Sequence, residues 1–120
     1  MLNYSIYNHS SSVEWVTFIH GAGGSSSIWH KQVRAFKAEF NVLILNLRGH
    51  GNSKMDLKDK NTEYTFDLVT VDIIELLDYL GIKKSHFIGI SLGTIIIRNL
   101  AENYPNKVKS MVLAGAIMEL

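Results

Sequence analysis

Cysteine is absent from the 120 residues, so neither disulfides nor thiolate metal sites are open to this chain. The five histidines, at positions 9, 20, 30, 50 and 86, form no metal-ligand spacing such as His-Glu-x-x-His, and no metal or other cofactor is expected. Charge of one sign is also missing as a block. Twelve basic and eleven acidic residues leave a net charge of +1, with no basic stripe of the kind that binds nucleic acid or an anionic membrane. The amino terminus, MLNYSIYNHSSS, lacks a positive segment leading into an apolar one, and no run reaches the roughly 18 apolar residues of a membrane span. These absences lead to the expectation of a soluble, cytoplasmic chain with no nucleic-acid and no membrane partner.

What remains is a chain with 47% hydrophobic residues, enough for one buried core, and no repeat, low-complexity tract or linker to divide it. LNYSIYN alternates apolar and polar residues as a half-exposed edge strand does. VEWVTFI, residues 13–19, is a β-branched and aromatic run that ends at His20-Gly21 and opens into GAGGSSS. Trp29, Val33, Phe36 and Phe40 then recur at helical spacing, with a serine before them as N-cap. NVLILNL, 41–47, reads as a strand covered on both faces, and the polar stretch RGHGNSKMDLKDKNTEY follows it as a loop.

A second helix is predicted from near Thr65, with Val69, Ile73, Leu76, Leu77 and Leu80 facing inward and Gly81 at the left-handed C′ position. Its acidic residues Asp67, Asp72 and Asp78 are assigned to the exposed face. SHFIGI, 85–90, is the next strand; LGTIIIRNLAENY, 92–104, is a third helix stopped by Pro105; and KSMVLAGAI, 109–117, is a final apolar strand. Parallel strands need crossovers, and each crossover helix covers a sheet face. The fold class is therefore α/β, a mostly parallel sheet of about five strands with helices on both faces.

One pentapeptide carries chemistry. Gly89-Ile90-Ser91-Leu92-Gly93 fits G-x-S-x-G and lies between a predicted strand and a predicted helix. A serine on such a sharp turn is lifted above the sheet, and its glycine neighbours are needed because larger side chains would meet backbone. The helix that starts there also directs free N–H groups, Leu92 first, at negative charge developing on a reacting oxygen. The motif in this setting resembles the nucleophile elbow of the α/β-hydrolase fold.

Three further stretches resemble that family in order. FIHGAGGSSSIW is similar to its loop after the third strand, and the resemblance implies that Ala22 N–H completes an oxyanion hole with Leu92 N–H, with His20, Gly21, Gly89 and Gly93 structural at the site. LNLRGHGNS resembles the family's D-x-R-G-x-G-x-S segment, with Asn46 where Asp is usual. NLAENYPNKVKSMVLAGA resembles the helix, proline and sixth strand after the elbow, with Thr94 where a second glycine is frequent. The Asn46 exchange is expected to change local hydrogen bonding and leave the fold intact, and the β-branched Thr94 is expected to crowd helix against strand.

The resemblance implies a serine hydrolase that cleaves a small apolar ester, thioester or amide through an acyl-enzyme on Ser91, with a small-molecule acyl substrate as its partner. It implies strands equivalent to the family's second to sixth, hence residues 1–120 as the amino-terminal part of one domain. The cap, catalytic acid and histidine are expected beyond Leu120. The strand after LNLRG is expected on the far side of the TFIHG strand, leaving a crevice at a topological switch point. Without a triad base the 120-residue chain is expected to be nearly inert, and its strand 109–117, left as an apolar edge, is expected to self-associate.

Serine at the elbow argues against the aspartate chemistry of epoxide hydrolases and haloalkane dehalogenases. C–C hydrolase, perhydrolase, lyase and non-catalytic ligand-binding members of the fold stay open as alternatives. His20 is read as orienting its loop, His50 as a solvated loop residue, and His86 as having no role; Trp29 and Phe36 are read as helix core. Glu119 is weighed as an acid and set aside for want of a histidine to orient.

Overall fold

The computed structural model describes residues 1–51 and 65–115; most of the expected polar loop, Glu119 and the end of the strand expected at 109–117 lie outside them. Five strands form one sheet: β1 (Tyr4–Tyr7), β2 (Trp15–Ile19), β3 (Asn41–Leu45), β4 (Ser85–Ile90) and β5 (Val108–Ala114). Their order is β1-β3-β2-β4-β5. Only β1 runs antiparallel, against β3, and the other three pairings are parallel. Because β3 lies on one side of β2 and β4 on the other, the connections diverge at β2, the switch point expected from the sequence.

The helices are α1 (His30–Phe36), α2 (Phe66–Tyr79) and α3 (Leu92–Asn103). Side-chain alternation along the strands assigns them to faces. Val16 and Phe18 of β2, with Val42 and Ile44 of β3, pack with Trp29 and Val33 at α1. Ile19, Leu43, Leu45 and Phe87 pack on the opposite face with Val69, Ile73, Leu76 and Leu77 of α2 and Ile96, Ile97 and Leu100 of α3. Each fully buried Leu, Ile or Phe contributes about 1.5–3 kcal/mol, and this second, larger cluster supplies most of that burial.

The boundaries follow from local chemistry. Thr65 caps α2 by accepting from Leu68 N–H at 3.1 Å, and Gly81 leaves the helix at φ +72°. The first helix differs from its predicted face. Ser26–Trp29 is a 3₁₀ turn capped by Ser25, α1 stops at Phe36, and Phe40 joins the same cluster from beyond the helix, its N–H bonded to the Phe36 carbonyl. The aromatic spacing reported packing on one face, which a turn and a short helix supply together.

Two side-chain assignments are corrected. Asp72 is half-buried and receives two 2.8 Å bonds from the Arg48 guanidinium, so the α2 face it occupies is covered by the segment after β3. His86 does have a role: Nε2 meets Glu14 Oε2 at 2.6 Å and Nδ1 meets Ser110 Oγ at 2.6 Å, which ties the lead-in to β2, β4 and β5 together. At the far edge of the sheet β5 pairs, among the described residues, with β4 alone, and its Met111 and Val112 are 47% and 56% exposed.

Candidate functional site

Three segments leave the carboxyl ends of neighbouring strands: residues 20–25 after β2, 46–51 after β3, and the elbow after β4. Ser91 sits at the elbow with φ +53° and ψ −117°, the one non-glycine residue with positive φ among the described residues. Such a conformation costs of order 1–3 kcal/mol and persists only where the surroundings enforce it. Here the surroundings are the two glycines of the motif. A Cβ on Gly89 would lie 2.5 Å from Ile97 Cδ1 and 3.0 Å from the Gly93 backbone, and one on Gly93 would lie 2.2 Å from the Ile19 carbonyl oxygen. Hydrogen alone fits at both, and the elbow is pressed onto β2.

That corrects the expectation for Thr94. The close approach of helix to strand falls at Gly93, and buried Thr94 instead donates its hydroxyl to the Ser91 carbonyl at 2.6 Å, with its N–H on the same oxygen at 2.9 Å. The threonine thus fastens the elbow. Ser91 Oγ itself has no hydrogen-bond partner among the described residues. Leu92 opens α3, so its N–H is one of the first-turn donors that a helix leaves unpaired.

The loop after β2 approaches the serine directly. A Cβ on Gly21 would lie 3.2 Å from Ser91 Cβ and 3.8 Å from Ser91 Oγ, so the Gly21 backbone lies beside the serine, and Ala22, next in the chain, is exposed. His20, just before Gly21, is fully buried. Its Nε2 accepts the Leu47 N–H at 3.0 Å, which requires an unprotonated nitrogen there, so the proton resides on Nδ1 and is donated to the Gly21 carbonyl at 2.7 Å. Burial pushes the His20 imidazole below its ordinary pKa, and His50 adds to the effect against the opposing pull of the Gly21 carbonyl.

The third segment holds the loop after β2 in place. Buried Asn46 accepts the Ser26 N–H on Oδ1 at 2.7 Å and donates from Nδ2 to Asn3 Oδ1 at 2.7 Å, so the exchange from aspartate does alter hydrogen bonding and leaves the fold intact. A carboxylate has no donor for Asn3. His50, read from the sequence as solvated, is half-buried with its ring 5.1 Å from that of His20. His20, Gly21, Ala22, Gly89, Ser91, Leu92 and Gly93 are therefore gathered at one end of the sheet, while His86 lies at the other.

Sequence reasoning missed the anchoring of His20 to Leu47, 27 residues away, and the Arg48–Asp72 pair, because neither contact leaves a local pattern. The described residues contain no group of His, Asp and Glu that could hold a metal, and none of their helices is long and apolar enough to cross a membrane.

Comparison with known proteins agrees with this fold. An Acinetobacter baylyi protein named for carbamate hydrolysis, RutD, is 34% identical over 99% of this chain and 45% of its own length. A 3-oxoadipate enol-lactonase of the same organism is 28% identical over 99% and 43%. The crystal structure of a hydrolase from Pseudomonas aeruginosa PA01 superposes with a TM-score of 0.84 at 30% identity, covering 93% of this chain and 40% of that one. The chain thus spans less than half the length of the curated relatives just named. The family profile described as the alpha/beta hydrolase fold matches residues 14–120, and the chain belongs to that family.

Proposed function

We propose that Ser91 is the nucleophile of a serine hydrolase that cleaves a small apolar ester, thioester or amide through an acyl-enzyme. The observation that carries this reading is the strained, positive-φ serine with the Gly21 backbone against it. In this mechanism Ser91 Oγ attacks the carbonyl carbon while a base takes its proton, and the carbonyl oxygen becomes an oxyanion held by Ala22 and Leu92 N–H. Collapse expels the alcohol, thiol or amine, which takes up a proton, and water then releases the acid by the same route. Relatives named as an enol-lactonase and for carbamate hydrolysis act on acyl carbon by their names, which supports this class of substrate.

The base is proposed to come from outside these 120 residues, which span less than half the length of the two relatives just named. His20 is unsuited to the task, since one ring nitrogen already accepts from Leu47 and the other donates to Gly21. His86 is committed to Glu14 and Ser110 at the opposite end of the sheet. The mouse protein named epoxide hydrolase 4, 34% identical over 79% of this chain, favours the same scaffold, but serine at the elbow favours acyl transfer here.

An esterase assay on three proteins tests the reading. The full-length chain turns over p-nitrophenyl acetate, Ser91→Ala does not, and the 120-residue chain is slower by about 10⁶, the usual cost of losing the histidine of such a triad. Full activity of Ser91→Ala would refute the nucleophile, and full activity of the 120-residue chain would refute the missing base.

A further inference from the structure

We infer that His20 is a positioning residue for this reaction, acting as a clamp that aims the Ala22 N–H at the oxyanion. The inference rests on the acyl-transfer reading above. It begins from the peptide group joining Gly21 to Ala22, which is trans like every described peptide bond, so its carbonyl and its N–H point in opposite directions. Whatever fixes the Gly21 carbonyl therefore fixes the line along which Ala22 N–H points.

Two donors hold that carbonyl: His20 Nδ1–H at 2.7 Å and Gly24 N–H at 3.1 Å. Neither could be moved freely. Gly24 closes a tight turn through Gly23, which has φ +74°. The His20 ring is fully buried, and its tautomer is dictated by the Leu47 N–H donating to Nε2. A ring protonated on Nε2 would confront that N–H donor with another, so the clamp works only with the neutral Nδ1–H form.

Leu47 follows Asn46, whose Oδ1 fastens Ser26 N–H at the far end of the same loop. The segment after β3 thus holds the loop after β2 at two points, at residue 20 through Leu47 and at residue 26 through Asn46. Between them lies the Gly21–Ala22 peptide, whose carbonyl the clamp holds and whose N–H this inference aims at the oxyanion. Preorganised donors are effective because they need no reorientation as charge develops, and a loose Ala22 N–H would forfeit that benefit while leaving ground-state substrate contacts intact.

Two substitutions separate this role from simple packing. Asn places its amide N–H near the position of Nδ1, so His20→Asn keeps a donor for Gly21 and abandons Leu47. Gln places its amide oxygen near Nε2, so His20→Gln keeps an acceptor for Leu47 and abandons Gly21. In the full-length protein with p-nitrophenyl acetate, His20→Gln lowers kcat by about 30-fold with KM within about twofold, a loss just below the 10²–10³ of deleting an oxyanion donor outright. His20→Asn keeps kcat within about fivefold of wild type even where its melting temperature is the lower of the two.

Equal kcat in the two variants, or activity that simply tracks melting temperature, would overturn the clamp. Nitrogen-15 NMR of the wild-type ring at neutral pH gives a check that needs no variant to fold. The expected spectrum shows a protonated Nδ1 and a bare Nε2, and the opposite tautomer would overturn the inference. Wild-type turnover by Ser91→Ala would instead remove the reaction on which the inference rests, and so distinguishes the two failures.

Discussion

The carbonyl oxygen of Ile19 lies where a Cβ on Gly93 would approach it to 2.2 Å, so the elbow and the strand beside it are in backbone contact. This contact sets the distance between the serine and the loop after β2, because Ile19 ends β2 and His20 and Gly21 follow at once. Gly93→Ala forces α3 away from the sheet. The expected cost is about 3 kcal/mol or more, at the upper end of over-packing, read as a fall in the denaturation midpoint with lost esterase activity. Gly23→Ala provides the contrast. Nothing lies within 4 Å of its Cβ, so only the strain of φ +74° remains, about 1 kcal/mol. Equal losses in the two variants would mean that packing at Gly93 is not what holds the elbow.

Acid should weaken the fold through His20. Burial lowers its folded pKa, so as pH falls below the ordinary histidine value of about 6.5 the unfolded chain binds a proton that the folded chain refuses. The contribution of neutral His20 is complete above that pH and is lost progressively down to the folded pKa. Urea midpoints measured at pH 7.5 and 5.5 should fall at the lower pH, and the fall should shrink in His20→Gln. An unchanged pH dependence in that variant would show that the ring does not titrate with unfolding.

The amino end of the sheet carries its own titration. Glu14 is held below the usual carboxylate range, first by Lys109 and then by His86, both hydrogen-bonded to its oxygens. The stability this confers is present above the unfolded carboxylate pKa and disappears as pH falls through the lowered folded value. Carbon-detected NMR of the Glu14 carboxyl should show the depressed titration, and Lys109→Ala should raise it. A titration indifferent to Lys109 would contradict the pairing.

Arg48 and Asp72 form a two-point contact between the segment after β3 and α2, with side chains 24% and 15% exposed. Lysine cannot reproduce the fork. Arg48→Lys should therefore cost about 1 kcal/mol, the upper range for pairs of partial exposure, measured as a shift in denaturation midpoint without loss of the helical circular-dichroism signal. Full stability of Arg48→Lys would reduce the pair to a single point contact.

The outer edge of β5 is proposed to pair with a second copy when the 120-residue chain is prepared alone. Among the described residues no strand faces its backbone on that side, and Met111 and Val112 are exposed along it. Sedimentation should show concentration-dependent association that Val112→Lys reduces. A monomer at all concentrations would contradict the proposal.

The parts of this protein that could be read in its sequence are those specified locally. SHFIGI is bounded by a loop and a helix signal and is β4 to the residue, and Thr65 and Gly81 bracket α2 through caps that need only their immediate neighbours. Ser91 was legible because glycine on each side is a steric requirement written into five consecutive residues. The clamp on Gly21 was not, since it depends on which strand lies beside β2 and which atom of a distant backbone meets the His20 ring. His86 and Asp72 eluded the sequence for the same reason: Glu14, Ser110 and Arg48 approach them through the sheet order. Thr94 shows a subtler limit, because β-branching suggested bulk where its hydroxyl was what mattered.

The most direct test is a crystal structure of the full-length protein after reaction with a fluorophosphonate. The expected result is phosphorus bonded to Ser91 Oγ, with the phosphonyl oxygen 2.7–3.1 Å from the backbone nitrogens of Ala22 and Leu92, the range for oxyanion donors. An adduct on another residue, or a phosphonyl oxygen to which those two amides do not point, would contradict the assignment.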